Sequence, residues 1–137
     1  MPVILDTCAL LAFMNGEPMR ESAIRAIGSA QRSAIVWVPS IAAMEIARKV
    51  AAGRLQLSRG LSARVWFARA LSEPGFEESP LTSEIAIAAY ELPEPFHKDP
   101  ADRLIIATAR RLEAPIVTVD RRILGYARLG HVAAIAY

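Results

Sequence analysis

The chain has 137 residues, which predicts one domain over 1–137 and leaves little room for a second. Apolar residues make up 53% and charged residues 22%, a globular composition that excludes a disordered chain. Net charge is only +2, yet 14 of the 16 basic residues are arginine, whose planar fork suits phosphate and is compatible with nucleic acid. With one cysteine, Cys8, neither an intramolecular disulfide nor a multi-cysteine zinc site can form, and a reducing cytoplasm is the expected setting. No apolar run approaches the roughly 18 residues of a membrane span. The apolar start MPVILDTCALLAF lacks a basic leader and is interrupted by Asp6, so it reads as mature structure.

Taken in order, Pro2 to Leu5 reads as a buried strand that ends at Asp6-Thr7. Thr7 to Met14 has near-helical apolar spacing and stops at Asn15-Gly16. Met19 to Ala30 reads as a helix with Ile24 and Ile27 on one face. Ile35 to Val38 is a second β-branched run, after which Ser40 is expected to cap a helix from Ile41 to Ala52. Ser58 to Leu71 reads as one helix with Leu61, Val65 and Ala68 as its apolar stripe. Phe76 to Leu81 is an edge-strand candidate, since Pro80 forbids a central one, and Thr82 to Leu92 reads as a helix.

The segment PEPFHKDPAD packs three prolines into eight residues and ends in a helix start. Asp99 takes the N-cap position, Pro100 the first helical position and Asp102 the third, and the helix runs to Leu112. Ile116 to Val119 is a third β-branched run, Asp120 caps a short helix through Tyr126, and Val132 to Ala136 gives a last strand. Alternation of strands and helices predicts an α/β fold with a mainly parallel sheet covered on both faces. Ligands of such sheets bind beyond the carboxyl ends of the strands.

The four aspartates fall where that rule matters. Asp6 and Asp120 each follow a strand directly, so parallel strands put both carboxylates on one sheet edge. Asp102 heads a stripe of Ile105, Ile106 and Ala109, where a carboxylate needs a partner. Glu45 lies in the run IAAMEIA, in the helix after the second strand. Carboxylates gathered at one edge repel one another and call for protons, arginines or a hard divalent cation. The competing reading is plain capping by Asp6, Asp99 and Asp120, a capping box from Asp102, and a solvated Glu45–Lys49 pair.

Four segments, LDTCALL, PSIAAMEIA, HKDPADRLIIATA and IVTVDRRI, agree in order and spacing with one family over nearly the whole length. The chain resembles PIN-domain ribonucleases, specifically the VapC-type toxins of bacterial toxin–antitoxin pairs. The resemblance implies a PIN-like three-layer α/β/α fold. It implies an acidic quartet of Asp6, Glu45, Asp102 and Asp120 around one or two magnesium or manganese ions that activate water to cut RNA. Asp6 and Asp102 match the positions usually given as metal ligands, and Asp120 the most variable position of the quartet. Thr7 and Thr118 match positions beside the site, and Asp99 lies just outside it as a cap with an outer-shell role. The resemblance further implies a small antitoxin partner and a homodimer.

Arg103, Arg110, Arg111, Arg121, Arg122 and Arg128 are candidates to hold RNA phosphates near the site. Cys8 is expected as a small buried hydrophobe, His97 and His131 as structural histidines, and Trp37 and Trp66 as core. A haloacid-dehalogenase-like site would want an aspartate at position 8, and a receiver domain a lysine opposite the acidic pocket; the only lysines are Lys49 and Lys98. The main rival is a non-catalytic PIN-like RNA- or protein-binding module whose carboxylates serve mainly as helix caps.

Overall fold

The computed structural model describes all residues 1–137. Five strands, β1 (Val3–Leu5), β2 (Val36–Pro39), β3 (Phe76–Ser79), β4 (Ile116–Thr118) and β5 (Ala134–Ala136), form one sheet in the order β3-β2-β1-β4-β5. Every neighbouring pair is parallel, with Ile4 opposite Trp37 on one side and Ile116 on the other. The helices are α1 (Thr7–Met14), α2 (Glu21–Ser33), α3 (Ser40–Ala51), α4 (Ala63–Leu71), α5 (Ser83–Ala88), α6 (Pro100–Leu112) and α7 (Arg121–Arg128). None is long and apolar enough to cross a membrane.

The pleat splits the core into two clusters. Val3, Leu5, Val36, Val38 and Val117 face one side and pack on residues of α1 to α4. Ile4 and Ile116 face the other side and pack on α5, α6 and α7. This is the three-layer α/β/α arrangement, with the inner strands β1 and β4 buried on both faces as a parallel sheet requires and the edge strand β3 exposing Glu77 and Glu78. Chain order reverses between β1 and β4, so a crevice opens beyond their carboxyl ends, where α/β sheets bind ligands.

Several local expectations are corrected. Ser40 is the first residue of α3 and caps nothing; Pro39 holds the N-cap position, and the Ser40 hydroxyl donates to Glu78 and to the Ser79 carbonyl on β3. The stretch Ser58–Leu71 is a short 3-10 turn at Ser58–Gly60 followed by α4, capped by Ser62. Its buried face is Trp66, Phe67 and Ala70, whereas Val65 is 44% exposed. The two adjacent aromatics bury more apolar area than the Leu61–Val65–Ala68 stripe would, so they decide which way the helix turns. On α2, Ile27 is buried with Ala23 and Ala30, while Ile24 is exposed.

Candidate active site

Asp6 ends β1 and stays buried at 7% exposure. One carboxylate oxygen accepts the N–H of Ala9 at 2.8 Å, which caps α1, and the other accepts the Thr118 hydroxyl from the end of β4. Adjacent parallel strands thus tie the two ends of the crevice together. The Thr118 hydroxyl also accepts the N–H of Asp120 at 2.9 Å, which turns the chain from β4 into α7. Asp120 then caps α7 through the N–H groups of Arg122 and Ile123. On the other flank, the Thr7 hydroxyl donates to Glu45 at 2.5 Å. Glu45 is therefore oriented by α1, and it forms no ion pair with Lys49.

Asp99 caps α6 by accepting the N–H of Ala101 at 2.9 Å. Asp102, in the first turn of that helix, caps nothing. Its apolar stripe is buried as the periodicity predicts, with Ile105 and Ile106 at 1% and 0% exposure. That leaves Asp102 at the lip of the buried face, its side chain 19% exposed.

Asp6, Glu45, Asp99, Asp102 and Asp120 line one open cavity of about 270 Å³ with two cations, Lys49 and Arg122. Desolvation dominates the electrostatics. Burial pushes the Asp6 carboxyl up to about 6; the Thr118 and Ala9 hydrogen bonds oppose the rise, and Asp120 and Glu45 add to it. Burial likewise pushes Asp102 up to about 7, helped by the negative charges of Asp99, Asp120 and Glu45. A site that resists ionisation in this way gains from any cation that relieves the repulsion.

The donor set consists of hard carboxylate oxygens, which suit magnesium or manganese. The side chains do not close into a group of three or more metal-binding residues. They fit an ion that keeps several of its waters and is held through one or two carboxylates, as magnesium commonly is. The cavity's carboxylates, Asp6 and Asp102 among them, are the residues that could hold it.

The remaining candidates sort by position. Arg103 does not reach the cavity: it is buried at 5% exposure. Its Nε donates to the Ala89 carbonyl at 2.9 Å, Nη1 to the Phe96 and His97 carbonyls, and Nη2 to Glu94 at 2.8 Å. It clamps the proline-rich loop to α6. Arg110 donates to the His131 carbonyl and Arg111 pairs with Glu84, so of the six arginines singled out Arg122 is the one that lines the cavity. Cys8, expected to be buried, is exposed at the cavity wall. Trp66 is core as expected, and Trp37 is partly buried against the second cluster.

Sequence reasoning missed the position of His97. Its Nδ1 accepts the N–H of Asp99 at 3.3 Å and faces Arg122 Nη1 at 3.1 Å. Arginine can only donate, so the proton of the neutral ring belongs on Nε2. Nε2 faces Asp102 Oδ2 at 3.0 Å, in contact but off the line of a hydrogen bond. Burial, then Arg122, lowers the imidazole pKa and favours the neutral ring. No signal in the spacing marks this contact, because the path of the loop that carries His97 is set by Arg103.

The PIN domain family model matches residues 3–129, and the chain belongs to that family. Solved structures with the same fold include VapBC2 from Rickettsia felis bound to a promoter DNA fragment. That structure is 17% identical, with a TM-score of 0.73, over 100% of this chain and 99% of the other. FitAcB from Neisseria gonorrhoeae is 18% identical with a TM-score of 0.61, over 98% and 96% of the two chains. A toxin–antitoxin complex from Klebsiella pneumoniae is 19% identical with a TM-score of 0.58, over 90% and 91%. No curated protein matches the sequence.

Proposed function

We propose that the chain is a VapC-type toxin: an endoribonuclease dependent on magnesium or manganese that hydrolyses RNA phosphodiester bonds at the Asp6–Asp102 pocket. Asp102 carries the reading. Capping explains Asp6, Asp99 and Asp120, but Asp102 caps nothing, is partly desolvated, and faces the same cavity as the others. A carboxylate held against its own ionisation is costly to keep unless a cation or substrate uses it.

Bound at Asp6 and Asp102, a divalent ion would supply a lowered water pKa and stabilise charge on the phosphate. The chain's own residues do the rest. Thr118 and the Ala9 N–H fix the Asp6 oxygens, Thr7 fixes Glu45, and His97 backs Asp102. Asp120 and Glu45 complete the acidic quartet, whose negative field draws a cation; that cation, and not the carboxylates, would favour the deprotonated form of a nearby water. Arg122 and Lys49 supply positive charge for the RNA backbone at the rim. A structure of similar fold is a toxin–antitoxin complex, which supports an antitoxin partner; in this reading the antitoxin covers the pocket and the toxin assembles as a homodimer.

One observation favours the rival binding module: three of the aspartates do cap helices. The two readings separate when purified chain is incubated with total cellular RNA, with magnesium, with manganese, and with excess chelator. Discrete fragments that need the metal and vanish in folded Asp102→Asn support the nuclease. Intact RNA under every condition, with a folded chain, favours the binding module.

A further inference from the structure

Next to the acidic pocket lies a second, shallow cavity of about 200 Å³, lined by Pro95, Phe96, His97, Arg122, Tyr126 and Leu129. The two share Arg122. The wall of the second is aromatic: Phe96 stands 4.3 Å from His97 and 4.7 Å from Tyr126 between ring centroids, both pairs tilted. Tyr126 is fixed by its hydroxyl, which donates to the Pro93 carbonyl at 2.5 Å. The loop beneath is fixed too, because Arg103 Nη1 holds the Phe96 and His97 carbonyls, each at 3.2 Å. The mouth is open, with Leu129 at 62% exposure.

We propose that this cavity is a nucleobase subsite, which stacks one base of single-stranded RNA while Arg122 takes the adjoining backbone phosphate. The acidic pocket has five carboxylates against two cations, so without a metal ion it disfavours a polyanion, and the affinity measured in chelator has to come from its rim and from beside it. Tyr126 is buried at 2% exposure and backs the wall, so the partly exposed Phe96 and His97 rings, with a guanidinium at their edge, are what a planar base meets, the pairing by which unstacked bases are commonly held. The volume is below the roughly 300–1,000 Å³ of pockets that enclose whole drug-sized ligands, which suits one ring system entering from an open side.

The proposal rests on the nuclease reading for the place of the cut, but base binding itself can be measured without metal or cleavage. The probe is a fluorescein-labelled single-stranded RNA decamer containing all four bases, with a series in which each base in turn is replaced by an abasic sugar. It is titrated in chelator into the Asp102→Asn chain, alone and with Phe96→Leu or Leu129→Asn, each checked for folding by circular dichroism. Leu129→Asn changes an exposed residue and so keeps the test valid if Phe96→Leu fails to fold. The expected result is a loss of about tenfold on Phe96→Leu, near the lower end of what one stacked base contributes, and a smaller loss on Leu129→Asn. One abasic position should reproduce the loss and add nothing to either variant. Unchanged RNA affinity in Leu129→Asn overturns the subsite, and altered self-association in that variant would then assign the cavity to a protein side chain. RNA held through the cavity by a wild-type chain that never cleaves refutes the nuclease reading and leaves the subsite standing.

Discussion

Replacing Asp102 with asparagine should stabilise the metal-free protein at neutral pH while it removes activity. The Asp102 carboxyl titrates near 3.8 when unfolded and is raised to about 7 in the fold, chiefly by burial. The folded state therefore binds the proton more tightly than the unfolded one. Stability from this group is complete below about pH 4 and is lost as pH climbs to about 7. At about 1.36 kcal/mol per pH unit, that rise corresponds to roughly 4 kcal/mol. Because 19% of the side chain remains open to solvent, screening reduces the figure, and about 2 kcal/mol is the expected gain for Asp102→Asn at pH 8. In a chain of 137 residues this is about 6 °C in Tm. Urea unfolding in chelator, followed by circular dichroism at pH 4, 6 and 8, reads it. The variant should gain on wild type at pH 8 and lose most of that gain at pH 4. A residual fall up to about pH 6 should persist in the variant, because Asp6 is also raised. Wild-type stability that is flat or rising between pH 4 and 8, or a variant less stable than wild type at pH 8, would refute the reasoning.

Other outcomes follow from the same geometry. Thr118→Val removes the hydroxyl that serves Asp6 and the Asp120 N–H; it should cost about 2 kcal/mol in urea unfolding and push the acid limb of cleavage to higher pH. Arg103→Ala strips three carbonyls and Glu94 of their donor and should cost about 3 kcal/mol in thermal unfolding, with faster hydrogen exchange across residues 93–98. A cost under about 1 kcal/mol would show that the clamp does not hold the loop. Asp6→Asn keeps a side-chain oxygen to cap α1 but loses the charge, so the fold should persist while cleavage of RNA falls at least roughly a hundredfold.

The sheet and the aspartate caps were legible because they rest on short-range rules, whereas the cap expected at Ser40 was not there. Asp6 and Asp120 follow β-branched runs directly, and Asp99-Pro100 marks the start of α6 to the residue. The meeting of Asp6 with Thr118 across 112 positions follows once the strands are taken as parallel neighbours. Other features depended on tertiary choices that local pattern leaves open. Both candidate faces of α4 are apolar, and the larger area that Trp66 and Phe67 bury in the first core cluster decides between them. A buried arginine is rare enough that Arg103 read as a surface group, although three carbonyls and a carboxylate satisfy it. Cys8 was expected inside, but α1 turns it toward the cavity. His97 sits in a loop whose path is set by Arg103, so its contact with Asp102 could not be read from spacing.

The central claim, that the pocket binds a divalent cation through Asp6 and Asp102, is tested most directly by calorimetric titration of manganese into wild type and Asp102→Asn at pH 8 and pH 5.5. Because Asp6 and Asp102 rise to about 6 and about 7, protons compete with the metal at the lower pH. The account predicts saturable binding to wild type at pH 8, weaker by at least about tenfold at pH 5.5, with proton release, and loss of that binding in the variant. Equal binding by wild type and Asp102→Asn, or none by a folded wild-type chain at pH 8, would contradict it.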